Sequence, residues 1–585
     1  EDVYRTILRE KKLYIEAPTG VGKTISTVFP TVKAMGENLV NRIFYLTAKT
    51  ITRTTAENTF DIIRQKNVDL KYVTITAKEK ICCNSKVACN PRECVRAKGH
   101  FDRINEAVYE LINNENDITR DVIVKYADKY NVCPFEMCLD VSLWVDAIIC
   151  DYNYLFDPNV YLRRFFDGNI KQNCVFLIDE AHNLVERACE MYSAVLTKED
   201  FLAVKKVIPE YNKKLKSVLE SCNKELLKYK RNCDECEVIH DFGDIGGLII
   251  LLMRTMTYMD EFMREQLNFE YNEIVKNLYF DIRHFVNMYE LIDDDYLIYS
   301  YFDSYDNFKI QIRCMNPSRN LLAQIKKGRS AIFFSATLLP IKYYKNQLAA
   351  VEDDYAVYAP STFDKNKRQI MIARDVSTKY TRRNEKEYRK IAKYIEIFVK
   401  GKKGNYMVFF PSYNYMANVY EYIAKDTLDN VILQDNNMSE VDKEVYLAQF
   451  ESNSTKTKIG FCVMGGIFSE GIDLKNDRLI GVVIVGTGLP MVCIEREIYR
   501  GYYDKNNNQG FEYAYLYNGM NKVLQAAGRV IRTSEDIGQI LLLDERLLTN
   551  QYQSLFPREW YPYEIVTIDN VKNKIEEFWN KIYCK

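Results

Sequence analysis

Residues 17–24 read Ala-Pro-Thr-Gly-Val-Gly-Lys-Thr and follow the short apolar stretch Lys12-Leu13-Tyr14-Ile15-Glu16. Gly20 and Gly22 let the backbone turn its N–H groups toward one point, and a helix beginning there adds positive potential. This is a cradle for phosphate oxygens. Thr19, Gly20, Val21 and Gly22 would wall it, Lys23 would reach the outer phosphates of ATP, and the Thr24 hydroxyl would hold Mg²⁺. A second apolar run, Cys174-Val175-Phe176-Leu177-Ile178, ends in Asp179-Glu180-Ala181-His182. Carboxylates at the C-terminal end of a buried parallel strand sit beside such a loop. Asp179 would bind Mg²⁺, Glu180 would orient and polarise the attacking water as base, and His182 would pass on the nucleotide state.

Alanine at residue 17, where the general phosphate loop has glycine, resembles the variant of superfamily 2 helicases. Their further motifs follow in order. Ser335-Ala336-Thr337-Leu338 follows an apolar strand, Ala331 to Phe334, and is similar to the motif linking hydrolysis to strand movement. Gly465 to Leu474 contains Ser469-Glu470-Gly471-Ile472-Asp473, of which Gly471 and Asp473 would face ATP. Gln525-Ala526-Ala527-Gly528-Arg529-Val530-Ile531-Arg532 matches Q-x-x-G-R-x-x-R. Its spacing predicts Gln525, Arg529 and Arg532 on one helical face. Gln525 would bind ATP, and Arg529 and Arg532 would neutralise charge on the transferring phosphoryl group. A small-molecule kinase shares the phosphate loop but not this distant Gln/Arg helix.

Between the phosphate loop and Asp179 lie Cys82, Cys83, Cys89, Cys94 and Cys133, the last in Cys133-Pro134-Phe135. Downstream comes Cys150-Asp151-Tyr152-Asn153-Tyr154-Leu155-Phe156-Asp157-Pro158. Here the sequence resembles the XPD/DinG family of iron–sulfur helicases, over nearly the whole chain. The resemblance implies a [4Fe–4S] cluster on Cys82, Cys89, Cys94 and Cys133, with Cys83 the competitor for the first position. Structural zinc is the competing use of four thiolates. Cys150, Cys174, Cys189, Cys314 and Cys462 sit in or beside apolar runs and read as core thiols.

These residues need large elements to position them. The chain has 585 residues, enough for about three to five domains. It is 47% hydrophobic, with 16 cysteines and a formal net charge of −1. The charge neither requires nor excludes nucleic acid, because a local groove suffices. No apolar run is long enough for a membrane span, and residues 1–9 lack a signal-peptide layout, so a cytoplasmic protein is expected. The implied fold is α/β: two RecA-like parallel-sheet motor domains, with an iron–sulfur insertion and a helical arch insertion in the first. The boundaries expected are 1–80, 134–190 and 321–345 for the first motor domain, 81–133 for the iron–sulfur domain, 191–320 for the arch, and 346–585 for the second motor domain. Within the arch, Lys205, Lys206, Lys213, Lys214 and Lys216 would line a DNA passage or form a solvated face. Phe409-Phe410-Pro411-Ser412-Tyr413 resembles the motif that touches the tracked strand, with Ser412 the phosphate ligand.

The family has a Gln-containing segment upstream of residue 13, so the chain reads as N-terminally truncated or as a fragment. The function expected by resemblance is a DEAH-box, 5′→3′ DNA helicase, in settings such as DNA repair, with single-stranded and tailed duplex DNA as partners. The alternatives are an ATP-switched nucleic-acid clamp or remodelling translocase, or the motor of a longer helicase–nuclease.

Overall fold

The computed structural model describes residues 1–585 except 49, 86, 88, 169–170, 267–270, 425–429, 453, 455, 469–473, 475 and 584–585. In chain order its strands are β1 (Lys12–Glu16), β2 (Arg42–Leu46), β3 (Tyr72–Thr74), β4 (Asp117–Ile118), β5 (Ala147–Cys150), β6 (Cys174–Asp179), β7 (Ala194–Thr197), β8 (Cys236–Ile239), β9 (Tyr296–Phe302), β10 (Phe308–Cys314), β11 (Ser330–Ser335), β12 (Tyr355–Tyr358), β13 (Arg368–Ala373), β14 (Asn405–Phe410), β15 (Val431–Leu433), β16 (Lys458–Val463), β17 (Gly481–Val485), β18 (Gly538–Leu543) and β19 (Glu564–Val566).

Two parallel sheets carry the molecule. The first has the order β12-β1-β11-β6-β2-β5-β3-β4, the second β15-β16-β14-β17-β18-β13-β19. Their strands are nearly continuous apolar runs because helices cover both faces. The pleat then splits each strand between two cores. Leu13, Ile43, Tyr45, Leu177 and Phe334 pack on one face of the first sheet. Tyr14, Phe44, Phe176, Ile178 and Phe333 pack on the other. The second sheet divides in the same way, with Met407, Phe409 and Ile484 on one side and Tyr406, Val408 and Val485 on the other. Burying each such side chain contributes about 1.5–3 kcal/mol.

The strand order fixes the site. β1 and β6 flank β11, with Glu16 opposite Ser335 and Phe334 opposite Asp179. The phosphate loop, the Asp179 carboxylate and Ser335 therefore leave the same edge of the sheet side by side, at the carboxyl ends of the strands.

Two features lay outside the sequence reading. β12 pairs with β1 at the edge of the first sheet, so that sheet extends past residue 345, where the change to the second motor domain was expected. The segment 191–320 contains the expected helices, Lys198–Val207, Lys213–Asn232, Gly246–Glu265 and Asn272–Tyr289. It also contains a four-stranded antiparallel sheet, β7-β10-β9-β8. Phe308-Lys-Ile-Gln-Ile-Arg-Cys314 alternates with period two and buries Phe308, Ile310, Ile312 and Cys314. Among the described residues no helix is long and apolar enough to cross a membrane.

Candidate functional site

The phosphate loop runs from β1 into the helix Lys23–Gly36. Gly20 and Gly22 both take left-handed backbone angles, φ 84° and 77°, which glycine alone adopts without cost. Gly20 is constrained a second time. A Cβ there would collide with the carbonyl of Arg532 and the ring of Phe363. A loop of the second sheet thus rests directly on the phosphate loop, and Thr19 Oγ1 lies close to Gly528. Val21 and Thr24 occupy the expected turn and first helical turn. The Lys23 ammonium donates to the carbonyls of Ala17 (3.3 Å) and Pro18 (3.4 Å), folded back over the loop it would serve.

Asp179 ends β6 and is 4% exposed. Its Oδ2 accepts the Tyr45 hydroxyl at 2.6 Å, and its Oδ1 accepts the Glu180 N–H at 2.8 Å. Burial first, then the neighbouring Glu180 carboxylate, raises its pKa above the ordinary carboxylate value, against the pull of the Tyr45 hydrogen bond and of Lys23. A buried carboxylate short of positive charge, with the Thr24 hydroxyl close to Tyr45, is a donor set that fits a divalent cation. Glu180 itself has φ 49°, a left-handed angle uncommon outside glycine, held by Tyr152, whose hydroxyl donates to the carbonyls of Asp179 and Glu180.

His182 joins three motifs. Its Nδ1 lies 2.7 Å from Ser335 Oγ, and its Nε2 lies 2.8 Å from Gln525 Nε2. Ser335 Oγ also donates to Glu180 Oε2 at 3.1 Å and accepts the Thr337 N–H at 3.2 Å. One assignment satisfies the set: His182 carries its proton on Nδ1 and donates to Ser335, while Nε2 accepts from the Gln525 amide. Ala336 lies between Ser335 and Thr337 in the turn after β11.

The structure corrects one expectation. The helix Tyr517–Ala527 holds Gln525 but stops at Gly528, so Arg529 and Arg532 lie beyond it and do not share its face. The Asp536 carboxylate accepts the N–H groups of Arg532 (2.6 Å) and Thr533 (2.7 Å), and the Arg532 carbonyl of this turn lies against Gly20 of the phosphate loop. Gly471 and Asp473 lie outside the described residues. Ser412 stands apart from this site. It caps the helix Tyr413–Tyr420, its Oγ accepting the Tyr415 N–H at 3.2 Å, and it lines a cleft of about 310 Å³ with Tyr380, Arg383 and Asn418. Lys205 and Lys216 are paired with Glu220 and Glu210.

Two of the four expected cluster ligands, Cys94 and Cys133, meet sulfur-directed donors. Burial raises the Cys94 thiol, but Asn84 and the N–H groups of Ala97 and Arg96 together bring it below the ordinary value; the Asn84 amide lies 3.3 Å from its sulfur. Cys133 precedes the helix Pro134–Val141 as its N-cap residue; burial raises its thiol above the ordinary value, while the N–H groups of Glu136 and Phe135 face the sulfur and act in the opposite direction, with Cys89 nearby. Cys83 and Cys94 share the neighbourhood of Arg96. N–H groups aimed at sulfur suit thiolate ligands of an iron–sulfur cluster. Among the described residues no three such ligands converge to metal-holding distance. Cys150, Cys174, Cys189, Cys314 and Cys462 are buried.

The sequence assigns no role to Tyr45, and it shows Tyr152 only as one residue of the Cys150–Pro158 stretch; the structure places both hydroxyls on the acidic pair.

Comparison with known proteins bears on all of this. A family model described as DEAD_2 matches residues 47–201, and one described as helicase C-terminal domain matches residues 395–563. The ATP-dependent DNA helicase CHL1 of Vanderwaltozyma polyspora is 22% identical over 84% of this chain and 67% of its own length. The general transcription and DNA repair factor IIH helicase subunit XPD/RAD3 of Saccharomyces cerevisiae is 20% identical over 94% of this chain and 86% of its own. A solved XPD helicase superimposes with a TM-score of 0.63 at 18% identity, over 97% of this chain and 98% of that one.

Proposed function

The chain belongs to the XPD/DinG family of superfamily 2 helicases, and on that premise we propose that it hydrolyses ATP between its two parallel sheets to move 5′→3′ along single-stranded DNA and open tailed duplexes. The observation that carries the reading is the set of contacts around His182. One imidazole touches the motif beside the acidic pair on one side and Gln525 of the second sheet on the other. A change at the Glu180 carboxylate therefore reaches both sheets within three hydrogen bonds, through Ser335, His182 and Gln525.

Lys23 would leave the Ala17 and Pro18 carbonyls for the β- and γ-phosphates of ATP. Asp179 and Thr24 would hold Mg²⁺, which supplies positive charge to the phosphate oxygens. Glu180, steadied by the Ser335 hydroxyl, would take a proton from the attacking water. Arg529 and Arg532, on the stretch whose Arg532 carbonyl lies against Gly20, would offset charge on the transferring group. Gly471, Asp473 and Gln525 would complete the nucleotide side. Ser412 would donate to a backbone phosphate of the strand. Cys82, Cys89, Cys94 and Cys133 would hold a [4Fe–4S] cluster that cross-links the segment between β3 and β5.

The test is unwinding of two duplexes, one with a 5′ tail and one with a 3′ tail, by protein purified without oxygen. Opening of the 5′-tailed duplex alone supports the proposal. Hydrolysis stimulated by single strands with neither duplex opened would replace it with an ATP-switched clamp.

A further inference from the structure

A cleft of about 380 Å³ opens beside His182, away from the phosphate loop. Three units form it: the helix His182–Met191 from the first sheet, β10 from the antiparallel insertion, and the helices Ile494–Asn507 and Tyr517–Ala527 from the second sheet. The Tyr502 hydroxyl donates to Asp295 and the Tyr503 hydroxyl to the Met315 carbonyl, holding the first of these second-sheet helices against the insertion.

The lining carries unanswered polar groups. Asn183 Nδ2 and Asn521 Oδ1 are buried and have no hydrogen-bond partner among the described residues. Arg313 makes no ion pair or side-chain hydrogen bond among the described residues, although it is largely enclosed beside Tyr499 and Glu495. A donor and an acceptor without hydrogen-bond partners among the described residues, beside a guanidinium that makes no ion pair or side-chain hydrogen bond among them, describe a ligand with both kinds of edge. Tyr343 and Tyr499 supply ring surface. The charge balance narrows the choice. Glu186, Glu190 and Glu495 line the cleft with Arg313 and Arg496, so it has no excess of positive charge and is no phosphate cradle. A neutral, flat, hydrogen-bonding group fits it, and the volume lies in the range of small-ligand sites, about 300–1,000 Å³.

We propose that this cleft takes one unstacked base of the tracked single strand and reports its presence to the hydrolytic site. The proposal rests on the helicase reading. Asn183 directly follows His182, and Asn521 precedes Gln525 by one helical turn, so a base held by the two amides bears on the His182–Gln525 contact from both ends. Such a base bridges the two sheets and favours the arrangement in which they close on ATP. Stacking and edge contacts of this kind tolerate any sequence.

Cys493 is exposed and lines the cleft, which gives a direct readout. The full chain is treated with N-ethylmaleimide, and modification of Cys493 is followed by peptide mass spectrometry, with oligo(dT), with dTMP, or with neither. Oligo(dT) should slow the modification at least about tenfold, and dTMP should not. In parallel, Arg313→Gln and Asn521→Ala should each weaken oligo(dT) binding by about tenfold, read by fluorescence anisotropy. Protection by dTMP but not by oligo(dT) would overturn the proposal. So would unchanged modification rates together with wild-type binding in both variants, while oligo(dT) still stimulates hydrolysis by the wild type; the helicase reading would then stand. Absence of strand-stimulated hydrolysis in the wild type would instead remove the helicase reading, and the proposal with it. Because the modification arm uses the unaltered chain, misfolding of a variant does not leave the question open.

Discussion

Glu16 offers the most exacting test of the site's electrostatics. It closes β1 immediately before the phosphate loop, is 2% exposed, and neither carboxyl oxygen has a hydrogen-bond partner among the described residues. Burial, and then the nearby Glu559 carboxylate, raises its pKa to about 8, although Lys23 and Arg558 act in the opposite direction. The folded chain thus keeps a proton that the unfolded chain releases near the ordinary carboxylate value. For a raised carboxyl the stabilising contribution is complete below the unfolded pKa and is lost as pH rises toward the folded one. Each pKa unit corresponds to about 1.4 kcal/mol, so between about pH 6 and pH 8 the wild type should lose on the order of 2 kcal/mol through this group. Glu16→Gln keeps the shape and removes the titration. Thermal unfolding of both proteins, without nucleotide, at about pH 6 and about pH 8.5 separates the cases. The variant should gain on the wild type by roughly 4 °C or more at the higher pH, taking about 2–4 °C per kcal/mol for a large domain. Midpoints that shift in parallel with pH would refute the reasoning, because a group titrating alike in both states cannot produce the difference.

The remaining expectations concern the site and the cysteines. Lys23→Ala should lower ATP turnover by at least about 10²-fold, measured by phosphate release; turnover like the wild type would remove Lys23 from the site. Tyr45→Phe deletes the hydroxyl that Asp179 Oδ2 accepts and should cost about 1 kcal/mol of stability while raising the Mg²⁺ concentration needed for half-maximal hydrolysis; an unchanged Mg²⁺ titration would count against Asp179 as the cation's ligand. Ser335→Ala removes the hydroxyl that bridges His182 and Glu180, leaving their direct 3.5 Å approach, and should depress unwinding more than hydrolysis, a split visible when both are measured on one preparation. Cys82→Ser should abolish iron content, measured by metal analysis of anaerobic protein, whereas Cys83→Ser should retain it; the reverse would exchange the two ligands.

The short-range chemistry of this protein is legible in its sequence because each piece lies within a few consecutive residues. A phosphate loop needs one turn of backbone, and residues 17–24 supply it. The acidic pair needs one buried strand, and β6 is an unbroken apolar run. Legibility ends where a chain property must be inferred from spacing. The spacing of Gln525, Arg529 and Arg532 suits a helix, yet Gly528 ends it, and Asp536 captures the N–H groups that further helix would have used. The antiparallel sheet was missed for a related reason. Its strands alternate with period two, but they lie among long Lys- and Glu-rich helices whose stronger 3.6-residue pattern dominates the segment.

What no pattern carries is complementarity between distant parts. Tyr45 and Glu16 read as ordinary members of apolar stretches and Tyr152 as one residue of a family-like stretch, and only the assembled sheet reveals what their polar tips face. The cleft beside His182 draws on residues 183, 313, 343, 499 and 521, which share no local signal. Gly20 shows how such a constraint can hide inside a motif already understood. The phosphate cradle explains its positive φ, so the sequence gives no reason to seek a second cause. The carbonyl of Arg532 packed against it supplies one. Any side chain at Gly20 would therefore damage the loop and also hold the two sheets apart. This predicts that Gly20→Ala impairs closure of the sheets as well as nucleotide binding, whereas Gly22→Ala, whose nearest neighbour is the Ile25 side chain of its own helix, impairs binding alone. Small-angle scattering of both variants with a non-hydrolysable ATP analogue at saturating concentration distinguishes them: Gly20→Ala should stay expanded where Gly22→Ala compacts, and equal compaction would show that the Arg532 contact does not control closure.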